Sequence, residues 1–352
     1  MVSTISVEQP RTADELASTL RDAAAAGKAV TPVGGGRAAG MGGLLARSDV
    51  ELRTTRLDRV IEHSPADMVV TVEAGITLEA LQSQLAKSGQ FLPLDPFNSP
   101  GHTIGGILAS GWSGPLRLRY GSARDFLIGI RVALPDGRLA TAGGRVVKNV
   151  SGYDMMKLHL GALGALGVIV AASFKLFPTP LHDVTVTSSG GWDDAERALA
   201  MQMAPAALEL FDDGRVYARF LGSRDAVNRV ASDLGWQAGD GSWWREHARA
   251  VPMTRISTPR EKLRDVMEGR TNWWASPGAG VAYWSCDSPG EVVEARKKAE
   301  TAGGSLVLIA APDEVKRTVD AWGTSPATLD VMRRLKDAFD PGHVLNPGRF
   351  VV

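Results

Sequence analysis

The 352-residue sequence predicts an α+β protein: a glycine-rich N-terminal domain of two α/β subdomains, a smaller α+β domain and a closing C-terminal segment. Three observations lead there. A chain this long, 44% hydrophobic and 22% charged, is globular and supports separate cores rather than one. Its 39 glycines exceed the average usage of about 7%, so many tight turns or close backbone approaches are expected. Near Leu181 the glycine-dense loops thin out and most of the tryptophans begin, which marks a change of domain. The predicted divisions are residues 1–180, with subdomains of about 1–57 and 58–180, then 181–325, then 326–352.

Thr12 to Ala26 reads as a helix, with Thr12 as cap, Glu15 three residues on, and Leu16 and Leu20 at helical spacing. Gly27 ends it. Ala29 to Val33 is a short strand running into Gly34-Gly35-Gly36, and Val50 to Thr54 closes the first unit. Arg59 to His63 and Met68 to Glu73 look like paired strands, and Thr77 caps a helix from Leu78 to Ser88. A loop from Pro93 to Gly106 leads into Ile107 to Trp112. Leu127 to Thr141 forms a hairpin around Pro135-Asp136-Gly137, and Val168 to Leu176 is a further strand. Beyond it, Val216 to Leu221, Ala279 to Trp284 and Ser305 to Ala310 are strand candidates, Asp225 to Leu234 and Glu291 to Ala302 helix candidates. A helix from Thr328 to Phe339 precedes the turns Asp340-Pro341-Gly342 and Asn346-Pro347-Gly348.

Composition narrows function by exclusion. Lys+Arg and Asp+Glu both total 39, so no global field draws nucleic acid or an anionic membrane. Met1 to Arg11 lacks an apolar signal region, and the charge-free stretch Leu158 to Phe174 falls short of the ~20 residues of a spanning helix. A cytoplasmic protein without direct membrane insertion is expected, associated with a membrane only through partners. The one cysteine, Cys286, excludes an internal disulfide and a cysteine-ligated iron–sulfur cluster. No metal site is expected.

The chemistry concentrates in glycine loops. Thr31-Pro32-Val33-Gly34-Gly35-Gly36-Arg37-Ala38 lets several backbone N–H groups converge on a pyrophosphate. Through Ala39 it also satisfies G-x-G-x-x-A, yet Gly40, Gly42 and Gly43 disfavour the helix that a Rossmann loop must open. Pro100-Gly101-His102-Thr103-Ile104-Gly105-Gly106 is a second strip of approachable backbone, and Ser110-Gly111-Trp112-Ser113-Gly114 a third. Arg119-Tyr120-Gly121-Ser122-Ala123-Arg124-Asp125 follows. Gly161, Gly164 and Gly167, ahead of Val168 and Ile169, would leave a flat wall for an adenine.

Four such motifs in this order resemble the vanillyl-alcohol-oxidase family, flavoproteins with the para-cresol-methylhydroxylase (PCMH) type of FAD-binding domain. The closing Phe339 to Arg349 stretch is similar to the glycolate and D-lactate branch, and Ser113-Gly114-Pro115 with Val146 to Asp154 to the FAD-binding subunits of bacterial glycolate oxidases. The resemblance implies FAD held across Val33 to Ala38, Pro100, Thr103 to Gly106, Ser110, Gly111, Ser113, Gly114, Tyr120, Gly121, Asp125, Gly164, Gly167 to Ile169 and Asn346. Where the family often has Ser-Glu, this chain has Ala162-Leu163. Covalent attachment in the family uses a histidine or cysteine; Gly34 to Gly43 contains neither, so noncovalent FAD is expected.

Oxidation of a 2-hydroxy acid needs a base and cationic or metal groups for the carboxylate. Related catalytic subunits use a histidine cluster. Here His63, His102, His159, His182, His247 and His343 are dispersed. His102 and Tyr153 remain catalytic candidates, against the alternatives of a loop histidine bonded to backbone and a tyrosine bracing a turn. The resemblance implies an FAD-binding subunit of a glycolate oxidase, passing electrons from a catalytic flavoprotein subunit to an iron–sulfur subunit. The competing expectations are a self-sufficient FAD-dependent 2-hydroxy-acid dehydrogenase and an assembly subunit with a vestigial flavin site.

Overall fold

The computed structural model describes residues 5–97, 100–144, 154–246, 252–286 and 288–352. The first unit is a parallel sheet in the order β1-β3-β2, built from β1 (Ser6–Glu8), β2 (Val30–Val33) and β3 (Val50–Arg53). Helix α1 (Ala13–Ala25) covers it. The Thr12 hydroxyl accepts the Glu15 amide at 3.1 Å and caps the helix, while the Glu15 carboxylate accepts the amide of Arg11, one residue before the cap, at 2.7 Å. Leu16 and Leu20 are buried against Val30, Val50 and Leu52.

The second unit contains β4 (Val60–Ser64), β5 (Val69–Glu73), α2 (Leu78–Ala86), β6 (Gln90–Phe91), α3 (Ile104–Ser110), α4 (Arg117–Tyr120), α5 (Ala123–Phe126), β7 (Leu127–Ala133), β8 (Leu139–Gly143), β9 (Val168–Lys175) and β10 (Phe177–Pro178). Its main sheet runs β4-β5-β9-β7-β8, antiparallel throughout. β9 reads as an unbroken apolar run because both faces are covered. Ile169, Ala172 and Phe174 pack toward α2 and α3, while Val168 and Val170 pack toward α1.

The loop expected to extend to Gly106 ends instead at Thr103, whose hydroxyl accepts the Gly106 amide at 3.2 Å and caps α3. Two adjacent glycines disguise this helix, since each lowers helix propensity by about 1 kcal/mol relative to alanine. Packing requires the first: a Cβ on Gly105 would press into Ala74. The Arg119 to Asp125 strip, given no helix from the sequence, spans the end of α4 and most of α5.

The third unit holds more strands than the sequence marked. Its antiparallel sheet has eight strands, ordered β14-β11-β13-β12-β16-β17-β15-β18. They are β11 (His182–Ser188), β12 (Ala207–Phe211), β13 (Val216–Gly222), β14 (Gln237–Ala238), β15 (Thr254–Ser257), β16 (Trp273–Ser276), β17 (Val281–Trp284) and β18 (Ser305–Leu308). Leu208, Leu210, Ala218, Phe220, Ile256 and Leu306 form one face, under α6 (Gly191–Leu199), α7 (Arg224–Leu234), α9 (Leu263–Met267) and α10 (Pro289–Thr301), while α8 (Trp243–Glu246) lies on the other face, with Trp244 Nε1 donating to the Thr185 hydroxyl at 2.9 Å. Period-two alternation sends Glu209, Arg219, Arg255, Ser276 and Tyr283 to the other face. There Tyr283 and Val281 meet Met41, Phe97, Trp112 and Leu163 of the N-terminal units. Strands with one polar-bearing buried face resist recognition from hydrophobicity, and β11, β12, β15 and β16 went unpredicted for that reason.

After α11 (Asp313–Thr318), α12 (Leu329–Phe339) leads the chain back to the first unit. Leu345 bridges Val30 in parallel, with the Val30 amide donating to Val344 O at 2.8 Å and the Asn346 amide to Val30 O at 3.0 Å. Among the described residues no helix is long and apolar enough to cross a membrane.

Candidate functional site

A cavity of about 410 Å³ opens where β2, α3 and the C-terminal segment converge. Its floor is the turn after β2. The amides of Gly34, Gly35, Gly36, Arg37 and Ala38 donate to no described residue, so five consecutive N–H groups are available to an anion. No helix follows this turn, as its glycines predict. Gly34 and Gly35 are fixed by close approach to the second loop: a Cβ on Gly34 would overlap the Thr103 hydroxyl, and one on Gly35 the Gly101 carbonyl oxygen. Gly36 has φ of 72° and open space beside it.

Of the residues named from sequence, Val33, Gly34, Gly35, Gly36, Arg37, Ala38, Thr103, Gly106, Ser110 and Asn346 line this cavity, as does His102. An adjoining cleft of about 60 Å³ adds Gly105, Gly164, Val168 and Ile169. The two spaces share Val33, Gly34 and Gly106.

The remaining named residues stand outside these walls, for identifiable reasons. Ile104 is wholly buried in the core beneath α2. Gly111, at φ 66°, terminates α3, and Gly167 packs against Val132. Gly114 lies against the Asp95 backbone, and Ser113 offers its carbonyl to the Tyr283 hydroxyl at 3.4 Å. Tyr120 is engaged with Phe91 and Phe177, at ring separations of 5.6 and 5.0 Å. The Asp125 carboxylate accepts the Ser122 amide at 2.7 Å, close against Gly121. Pro100 is exposed and lines neither space. Tyr153 lies outside the described residues.

Several further wall residues were not named as site residues from the sequence. Thr31, Ser48 and Glu51 form one polar flank, with the Thr31 and Ser48 hydroxyls 2.8 Å apart. Leu163, where the resemblance led one to expect a polar neighbour, gives an apolar wall instead, and its carbonyl accepts Asn346 Nδ2 at 2.6 Å. Arg349 donates through Nη2 to Ala38 O at 3.1 Å, while its buried Nε has no acceptor. Burial holds that guanidinium below its ordinary value.

His102 is 2% exposed, with its ring 5.1 Å from that of Trp112 and Nε2 unpartnered. Burial lowers it to about 4, opposed by a hydrogen bond to Phe97 backbone and assisted by Arg37. It is therefore neutral near pH 7, with one ring nitrogen free.

The donor set fits a dinucleotide: free amides and two arginines for a pyrophosphate, small and apolar walls for the rings. Comparisons with known proteins point the same way. The family described as "FAD binding domain" matches residues 5–153, and "FAD linked oxidases, C-terminal domain" matches residues 321–350. Glycolate oxidase subunit GlcE of Escherichia coli is 28% identical across 82% of this chain and 84% of its own length. D-lactate dehydrogenase [cytochrome], mitochondrial, of Arabidopsis thaliana is 33% identical over 69% of this chain but 43% of its own length. Glycolate oxidase subunit GlcD of Bacillus subtilis is 31% identical over 58% of this chain and 44% of its own length. A solved alkyldihydroxyacetonephosphate synthase shares the fold, with a TM-score of 0.70 at 19% identity over 97% of this chain and 76% of that one.

Proposed function

Because the chain belongs to the FAD-linked oxidoreductases with a PCMH-type FAD-binding domain, we propose that it serves as the FAD-binding subunit of a multi-subunit glycolate oxidase. In this reading it supports electron transfer from a catalytic flavoprotein subunit to an iron–sulfur subunit. The observation that carries the reading is the extent of its similarity to GlcE: 84% of that protein's length is matched, against less than half of the GlcD and D-lactate dehydrogenase relatives.

FAD, when bound, supplies the two-electron chemistry. The free amides from Gly34 to Ala38 would receive its pyrophosphate, with Arg37 and Arg349 as cationic neighbours. Leu163, Gly164, Val168 and Ile169 would meet the rings. Neutral His102, held against Trp112, would orient the cofactor by its free Nε2 and stay uncharged at the cavity wall.

Purification of the chain alone tests both parts. Denaturation is expected to release stoichiometric FAD and leave colourless protein, as noncovalent binding requires. Glycolate turnover should appear only when the partner subunits are added. Vigorous glycolate oxidation by the isolated chain would instead establish a self-sufficient dehydrogenase, and absence of FAD would indicate a vestigial site.

A further inference from the structure

The turn after β2 must present an ordered row of amides, yet Gly34, Gly35, Gly36, Gly40, Gly42 and Gly43 leave it few side chains to hold it. Glycine loses more conformational freedom on ordering than any other residue, so an anion gains affinity where the folded chain has already fixed the turn. The carbonyl groups of the turn show what fixes it.

The Gly40 carbonyl accepts Lys316 Nζ at 2.5 Å, and the Ala38 carbonyl accepts Arg349 Nη2 at 3.1 Å. Arg349 lines the cavity; Lys316 does not, so whatever it does for a ligand it does through the turn. α11, which carries Lys316, is anchored in the third unit: Ala311 and Val319, on either side of it, are buried in the core of that unit, and Val315 packs against them. The same unit comes close at Gly40, where a Cβ would stand 3.2 Å from the Ala310 Cα, just past β18. Ile309 shares a buried cluster with Met41 of the turn, and Ala38 packs against it. Burial and the Arg349 guanidinium lower Lys316 below its ordinary value, against the opposing pull of Asp313. Among the described residues neither Lys316 nor Arg349 is in an ion pair. Two cations thus bond the backbone of one turn, and such a bond is stronger than a neutral one and polarises the peptide group that accepts it.

We propose that Lys316 is a positioning residue for the dinucleotide: from the third unit it holds the Gly40 carbonyl, and thereby fixes the turn whose amides meet the pyrophosphate. Cofactor affinity then depends on the docking of α11, and by reciprocity a bound dinucleotide tightens that docking. A ligand of the N-terminal units thereby gains a hold on the third unit, through the Lys316 hydrogen bond and the close approach at Gly40. This role rests on the reading that the pyrophosphate meets the amides from Gly34 to Ala38. It requires no turnover by this chain, so it holds for an accessory subunit and a self-sufficient enzyme alike.

The experiment uses the full chain loaded with FAD and follows flavin release by fluorescence after dilution. K316M should release FAD about tenfold faster than the unaltered chain, the effect of losing a hydrogen bond from a charged donor, while K316R stays within about threefold of it. Hydrogen exchange adds a readout that needs no variant: loading with FAD should slow exchange of the α11 amides by about threefold or more in the unaltered chain, and K316M should lose that slowing. Release from K316M within about twofold of the unaltered rate overturns the role of Lys316, as does exchange in α11 that is indifferent to FAD. Release from K316R as fast as from K316M overturns it too, because lost packing would then explain both. G35A separates this role from the pyrophosphate reading beneath it. If G35A loses FAD while K316M keeps it, the role of Lys316 alone fails; if G35A keeps its FAD as well, the pyrophosphate reading fails.

Discussion

At the scale of single residues, the dinucleotide cavity depends on where side chains are missing. Gly35 and Gly34 admit the loop carrying Thr103 because neither projects a Cβ into it. G35A should force the Gly101 carbonyl away, costing about 1–3 kcal/mol as other overpacked sites do. The expected outcome is a lower melting temperature together with loss of most bound FAD. G36A meets no neighbour but adopts a positive φ, so it should lower stability by about 1 kcal/mol while retaining more FAD than G35A. Measurement of released flavin per chain separates the two; equal retention would contradict the close-approach account. This part of the site was legible because glycine is the residue for backbone contact. Ser48 and Glu51 were not, since an ordinary residue signals a wall only once the chain has folded it there.

Among the elements, the C-terminal segment joins fold to site most directly. Lys336 Nζ bonds Asp340 at 2.7 Å, Ala165 O at 2.9 Å and Leu345 O at 3.0 Å. Asp340 also accepts the amides of Val344 and Leu345, at 3.1 and 2.8 Å. With Lys336 3% and Asp340 0% exposed, this is a buried pair whose remaining bonding capacity is met by backbone. Removal of one partner leaves the other charged and buried, so K336M should cost about 3–5 kcal/mol in urea unfolding and reduce FAD retention, because Asn346 follows on the same segment. K336M combined with D340L should recover a substantial part of the loss; no recovery would mean that Lys336 acts through its carbonyl bonds instead. The turns Asp340-Pro341-Gly342 and Asn346-Pro347-Gly348 announced a closing element in sequence. The buried lysine did not, since an i, i+4 pair on an amphipathic helix reads as a solvated face.

For the molecule as a whole, buried titratable groups make stability depend on pH in two opposed directions. Asp95 is pushed up from 3.8 to about 7 by burial, so the folded chain holds a proton that the unfolded chain releases. Its contribution is intact below about pH 4 and is lost as pH rises through 7. His102 and His159, lowered from 6.5 to about 4 by burial, act the other way. Their contribution is intact above about pH 6.5 and is lost as pH falls through 4. A stability maximum is therefore expected in mildly acidic solution. In thermal melts between about pH 5 and 8, D95N should flatten the fall on the alkaline side, and H159F the fall on the acid side. An unchanged alkaline slope in D95N would remove Asp95 from this titration.

The sequence by itself determined the capped helices at Thr12 and Thr77, the hairpin around Asp136, the glycine turn after β2 and the family of the dinucleotide domain. These are local matters, decided by caps, turns and backbone freedom within a few residues. Only the tertiary structure decided that Thr103 opens a helix, that Arg349 reaches Ala38, and that eight strands form one sheet in the third unit. Each of those rests on contacts between residues far apart in the chain.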